Sequence, residues 1–324
     1  MLVLVLAAAG VAGLWWWTTQ PLALAADKVE IAVPQGASLR AAARKAVEGG
    51  VRVPADLLYA YFRYANDPAQ PIKPGDYEVT RGMTPRALLS KLERGDRIKL
   101  TVTLLEGWNI RQVRDALSRA EHLQGASRDM SAEELMKSLG KPGVHPEGRF
   151  FPDTYHYFKN SSDLAVLRQA MQLMDRQLAA AWEARAPDLP LKSPEDALIL
   201  ASIIEKETGL ASDRQEIAGV FINRLKIGMR LQTDPTVIYG LGEKFDGNLR
   251  RIDLTTDTPW NTYTRAGLPP TPISMPGRAS LMAAVQPAST RSLYFVSRGD
   301  GSSHFSNSLN EHNNAVNKYQ RGGN

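Results

Sequence analysis

Cysteine is absent from all 324 residues. That excludes disulfide scaffolds, thiolate metal sites and cysteine nucleophiles. It leaves the redox compartment open, because a chain of this length, 43% hydrophobic, can build its cores without cross-links. Basic blocks are missing too. The 39 Lys and Arg against 34 Asp and Glu give a net charge of +5, but they are scattered. Such a balance suits an acidic polymer or an anionic lipid and, without a cluster, argues against a nucleic acid partner. The five histidines (His122, His145, His156, His304 and His312) are dispersed, there is no HExxH, and Glu311-His312 has no partner at ligand spacing, so neither a metal nor another cofactor is expected. No phosphate-cradling Gly-rich loop and no GxSxG elbow occur either.

One long stretch has no charge at all. Residues 1–26, MLVLVLAAAGVAGLWWWTTQPLALAA, contain no Asp, Glu, Lys or Arg. As a helix, Met1 to Trp17 would cover roughly 25 Å, enough for a membrane anchor, with Trp15, Trp16 and Trp17 at headgroup level. Ala23-Leu24-Ala25 resembles a signal cleavage site, so a cleaved leader is the alternative. Either way, residues 27–324 lie across a membrane.

Past the anchor a pattern recurs of strand, Gly-containing turn and amphipathic helix. Strands are expected at Val29–Val33, Tyr77–Thr80 and Lys99–Leu105, and helices from Leu39 to Val47, through PADLLYAYFRYAND, and from Thr84-Pro85 to Gly95. The fold class is α+β, with a small module over 27–97 bounded at the Arg94–Arg97 turn; the alternative is one continuous α+β domain. The segment KPGVHPEGRFFPDTYHYFKN reads as a loop carrying Phe150, Phe151, Tyr155, Tyr157 and Phe158. It either lines a sugar-binding groove or is pinned to the core by its aromatics.

Ser193-Pro194-Glu195-Asp196 then opens a helix running to Thr208, with Gly209 suited to a left-handed residue after its end. Glu205 stands on it directly after Ile203 and Ile204, above the small residues Ala201 and Ser202. Glu207 lies about 200° around the helix, so the two carboxylates share no face. A partly desolvated glutamate has a raised pKa, which suits a general acid near neutral pH; a solvated surface carboxylate is the alternative. Gln232-Thr233-Asp234-Pro235-Thr236 and the Pro-rich TPWNTYTRAGLPPTPISMPG then supply Asn, Gln, Asp, Thr and aromatics on stiff loops, types that stack on and hydrogen-bond to sugar rings.

The segments EGRFFPDTYHY, ASIIEKET, VFINRLKIGMRLQTDPTVIYG, NTYTRAGLPPTPI and LYFVSRGDGSSHFSNSLNEHNNAV closely resemble the YceG-like endolytic murein transglycosylases, in the family's order over about residues 28–320. The resemblance implies an inner-membrane anchor (1–26), a LysM-like subdomain (27–97) and a periplasmic catalytic domain (98–324). It further implies internal cleavage of nascent peptidoglycan strands between N-acetylmuramic acid and N-acetylglucosamine to leave 1,6-anhydro ends, Glu205 as the catalytic residue, and a peptidoglycan synthase as partner. Substrate contacts are expected at Gln232, Asp234, Tyr239, Asn261 and Tyr263, each with a structural role as the alternative. Two other functions stay open: a non-catalytic peptidoglycan-binding scaffold, and a muramidase-type hydrolase using Asp234 or Glu207 as a second carboxylate.

Overall fold

The computed structural model describes residue 10 and residues 12–322. The protein is mixed α+β with small two-stranded sheets, and it divides into two units. The first holds residues 1–101, 121–123 and 156–161; the second holds 102–120, 124–155 and 162–324.

In the first unit, β1 (Lys28–Val33) alternates exposed and buried side chains, the period of a half-buried strand. It pairs antiparallel with β2 (Gly75–Thr80), from Lys28 opposite Thr80 to Val33 opposite Gly75. Between them run α1 (Leu39–Glu48), capped by the Ser38 side chain, and α2 (Ala55–Ala65). Ala42, Ala43 and Ala46 are fully buried, and such small side chains let helices approach closely. Helix α3 (Pro85–Arg94) starts on a Thr84 cap and stops at Gly95, which is left-handed at φ 76°. Ile31, Leu58, Phe62, Tyr77, Val79, Leu88 and Leu92 fill this unit's core.

The expected membrane helix over Met1–Trp17 falls largely on residues 1–9 and 11, outside the described residues. Among the described residues no helix is long and apolar enough to cross a membrane. Residues 12–18 are helical. The Trp17 ring meets Tyr61 edge-on, centroids 6.2 Å apart, against the first unit's core. The Ala23-Leu24-Ala25 stretch is part of the fold as well. Leu24 bridges Val51, Ala25 N–H donates to Gly50 O at 2.8 Å, and Leu22 is buried. Cleavage after Ala25 would remove all three interactions.

Strand β3 (Lys99–Thr103) pairs with β4 (Thr154–Phe158), so part of the expected aromatic loop is a strand. Its aromatics pin it instead of lining a groove. Phe150 is fully buried, and the hydroxyls of Tyr155 and Tyr157 donate to Phe151 O (2.6 Å) and Glu121 O (2.7 Å).

The second unit continues with α4 (Ile110–Arg119), α5 (Ala132–Ser138), α6 (Asp163–Glu183), α7 (Pro194–Glu207), α8 (Arg214–Lys226), α9 (Asp234–Leu241), α10 (Arg251–Thr255) and α11 (Arg278–Val285). The antiparallel pair β5 (Tyr294–Ser297) and β6 (Ser303–Ser306) and then α12 (Leu309–Gln320) follow. Helix α7 is its centre, packed against α6, α8, α9 and α11. Every residue from Ala197 to Ile204 is buried. At roughly 1.5–3 kcal/mol for each fully buried Leu or Ile, these side chains fix the helix, and so whatever its last turn carries. Gly219 lets α8 run close to the following chain, where a Cβ would stand 2.6 Å from Thr290 Cγ2.

Candidate active site

Helix α7 begins as its sequence dictates: Ser193 Oγ accepts the N–H of Asp196 at 3.3 Å, with Pro194 in the first turn. Its end differs from expectation. Thr208 leaves the helix in an extended conformation, its hydroxyl donating back to Ile204 O at 2.7 Å, and Gly209 is not among the left-handed glycines. The last turn therefore presents two half-buried carboxyls, Glu205 and Glu207, to different surroundings.

Glu205 turns toward the chain at Gly277, whose N–H donates to its Oε2 at 2.9 Å. A Cβ at Gly277 would run into the Glu106 carboxylate, which would have to shift. Burial and the Glu205 charge together raise the Glu106 pKa. Backbone bonds between Gly107 and Met275 (2.9 Å) and between Met275 and Trp108 (2.7 Å) tie these two segments side by side. This side of α7 is closely packed by chain.

Glu207 faces the other way, onto a cavity of about 680 Å³. The Thr233 hydroxyl donates to Glu207 Oε1. Arg224, Gln232, Asp234, Tyr263, Tyr294 and His312 are among the polar residues of the wall. Burial pushes the Glu207 carboxyl above the ordinary glutamate range; the Thr233 hydrogen bond opposes this, the Asp234 charge adds to it, and Arg224 opposes it. Its position at the helix C-terminus, where backbone carbonyls carry partial negative charge, disfavours the ionised form in the same sense. A carboxyl that tends to keep its proton, reached through an open polar cavity, is equipped to donate that proton to a substrate oxygen.

The wall is built on rigid parts. Arg224 sits in α8, with Nε donating to Leu293 O and Nη1 to Leu231 O, both at 2.6 Å, and thereby joins α8 to the chain on either side of the cavity. His312 stacks on Tyr294 with centroids 5.2 Å apart, and its buried Nδ1 has no hydrogen-bond partner among the described residues. Thr233, Thr236 and Thr262 interlock: Thr233 N–H donates to Thr262 Oγ1 at 3.1 Å, and the hydroxyls of Thr236 and Thr262 lie 2.9 Å apart.

The expected contact residues separate into two groups. Gln232, Asp234 and Tyr263 are on the cavity. Gln232 is held left-handed at φ 50°, an uncommon conformation for a residue with a long side chain. The Tyr263 hydroxyl donates to Asp234 Oδ1 at 2.5 Å. Tyr239 and Asn261 are not on this cavity. Asn261 is fully buried, its Nδ2 donating toward the carbonyls of Asp253, Leu254 and Thr256 that end α10. The Tyr239 hydroxyl lies near the buried carboxyl of Glu147, and its ring meets Trp260 edge-on at 5.6 Å. Both have structural partners. Glu205, the expected centre of the groove, lies outside the cavity lining. Arg224, Thr233, Tyr294 and His312 were not anticipated; the signal for Arg224 was a cation inside the apolar run VFINRL.

Among the described residues no group of three or more His, Asp or Glu side chains is arranged to hold a metal ion. A smaller pocket of about 310 Å³ lies along the Pro-rich loop at Pro259, Asn261, Thr262 and Arg265 to Pro270, so Asn261 borders a pocket other than the Glu207 cavity.

Residues 31–318 match the YceG-like family. The chain is 32% identical, over 308 residues, to an endolytic murein transglycosylase of Bacillus subtilis, an alignment covering 90% of this chain and 84% of that one. It is 24% identical over 327 residues to an endolytic murein transglycosylase of Streptococcus pneumoniae, covering 89% of this chain but only 58% of the streptococcal protein. The crystal structure of a YceG-like protein from Listeria monocytogenes matches with a TM-score of 0.57 and 29% identity, over 89% of this chain and 98% of the other.

Proposed function

Because the chain belongs to the YceG-like family, we propose that it is an endolytic lytic transglycosylase acting on peptidoglycan strands, with Glu207 as its acid and base. The observation that carries this reading is the Glu207 carboxyl, raised in pKa by burial and opening on a polar cavity. Protonated Glu207 donates to the glycosidic oxygen between N-acetylmuramic acid and N-acetylglucosamine; the C1–O bond breaks and positive charge develops at the anomeric carbon. The muramoyl 6-hydroxyl closes onto that carbon and passes its proton to the Glu207 carboxylate. The product is a 1,6-anhydro end, Glu207 is again protonated, and no water is consumed. Asp234, held by Tyr263, supplies negative charge beside the developing cation.

Glu205 is the other candidate on α7, and the sequence pattern favoured it. Its surroundings support a positioning role, since one oxygen is engaged by the Gly277 N–H and its neighbours are backbone and Glu106. Residues 98–324 are the proposed catalytic domain and 27–97 a LysM-like module, supported by the strand, helix, helix, strand order from β1 to β2. Residues 1–26, without a charged side chain, are proposed as the anchor that keeps the protein in the inner membrane with its catalytic part in the periplasm, beside a peptidoglycan synthase.

The test is digestion of uncrosslinked glycan strands with product ends read by mass spectrometry. Internal cuts ending in 1,6-anhydromuramic acid are expected. Ends heavier by one water would make the enzyme a hydrolase with Asp234 as the base, a reading that the closeness of Asp234 to Glu207 favours. Intact strands in the presence of folded protein would leave a binding scaffold.

A further inference from the structure

The first unit carries an aromatic face with nothing on it. On α2, Leu57, Tyr61 and Tyr64 stand at i, i+4 and i+7 and so share one side of the helix. Tyr61 is buried under the edge of Trp17, but Tyr64 is 82% and Leu57 37% exposed. Trp15 and Trp16, in the short helical stretch that delivers Trp17, are 68% and 62% exposed. Large exposed aromatics gathered in this way mark an interaction surface. The Arg86 charge reaches Tyr61 on this face, while Arg40, 4.6 Å over the Tyr59 ring, and Arg63, donating to the Tyr59 hydroxyl at 3.2 Å, lie on the other flank of α2. Asp56 is the only carboxylate of α2 itself, and Glu93 reaches Tyr61 from α3.

We propose that this face rests on the headgroup layer of a lipid bilayer, so that the small module lies on the membrane instead of swinging from a tether. The proposal rests on the membrane anchoring inferred above. Trp and Tyr rings have an apolar body and a polar edge and collect at headgroup depth, while arginines reach lipid phosphates from the same level. The occupant is indicated by the chain itself. The uncharged run 1–26 passes into the fold through Trp15–Trp17, and Trp17 lands on the very helix whose exposed side carries Tyr64. The face is therefore where an anchored chain leaves the bilayer.

The absence of cysteine permits a clean test with single nitroxide labels on the full-length protein. Tyr64→Cys places one label on the face. Ala32→Cys places another on the outward side of β1, away from the buried Val29, Ile31 and Val33. In vesicles of phosphatidylethanolamine and phosphatidylglycerol, oxygen relaxes labels at lipid depth and a water-soluble nickel chelate relaxes those in water. The expected result is a ratio of oxygen to nickel accessibility several-fold higher at position 64 than at 32. If the protein floats with the vesicles while both labels are equally aqueous, the face is wrong and the anchor stands. Protein that stays out of the vesicle fraction overturns the anchor itself. Dipolar broadening between position-64 labels in detergent would overturn the lipid assignment in favour of a second copy of the chain.

Discussion

Glu147 and Glu207 are both carboxyls that burial pushes toward protonation, Glu147 to about 7, yet they meet different surroundings. Glu147 has no exposed surface. Its oxygens accept the Ile110 N–H at 3.1 and 3.2 Å, at the start of α4, and the Tyr239 hydroxyl lies nearby. Glu207 has one internal partner, Thr233, and otherwise looks onto open space. A raised pKa thus marks both a structural staple and a proposed catalyst. The difference lies in what remains for a substrate to touch: nothing at Glu147, and a polar cavity at Glu207.

Glu147→Ala gives the largest effect that would sharpen this contrast. It leaves the Ile110 N–H without its buried partner and opens a cavity where the carboxyl stood, and should cost about 2–4 kcal/mol of stability with strand cleavage per folded molecule unchanged. Denaturant melts and rates measured on the same samples check both halves. A loss of cleavage at full stability would erase the distinction.

The pH dependence of stability comes next in size. The folded-state pKa of Glu147 is raised from 4.5 to about 7, chiefly by burial, so the folded chain holds a proton that the unfolded chain releases between those values. This contribution is fully present below 4.5 and is lost as pH rises to about 7, a decline of about 3 kcal/mol. Glu147→Gln should flatten that decline, as seen by denaturant titrations at pH 4.5, 6 and 7.5.

Two tyrosines give the smaller effects, in opposite columns. Tyr239→Phe removes the hydroxyl beside the Glu147 carboxyl and should lower stability by about 1 kcal/mol, leaving the cleavage rate alone. Tyr263→Phe removes the 2.5 Å bond to Asp234 on the cavity and should lower kcat by roughly three- to tenfold, with stability changed by under about 1 kcal/mol. If the two variants exchanged these phenotypes, the division between staple and site would fail.

Much of this arrangement is legible from local sequence. Ser193-Pro194 starts α7 where capping chemistry says it should, the βαα elements of the first unit follow their apolar periods and turn residues, and the two α7 glutamates diverge as helix geometry requires. Strand β4 is not legible because its alternation, Thr154-Tyr155-His156-Tyr157, spans only four residues and follows Pro and Gly residues that read as loop. The choice between Glu205 and Glu207 is hidden for a related reason. All residues from Ala197 to Ile204 are buried, so α7 has no polar side to indicate which direction opens onto a cleft. The cavity is assembled from α8, the Gln232 turn, Tyr263, β5 and α12, far apart in sequence. Asn261 looks like a sugar contact by type, and only the folded loop shows that its amide also meets the carbonyls ending α10.

The most direct test of the central claim is to compare Glu207→Gln and Glu205→Gln side by side on uncrosslinked glycan strands, with both variants shown to melt like wild type. The account predicts that Glu207→Gln loses at least about 10²-fold in the formation of 1,6-anhydro ends, as expected for removal of an acid and base, while Glu205→Gln keeps activity within about tenfold of wild type. The reverse pattern would contradict it and return the chemistry to the carboxylate beside Gly277.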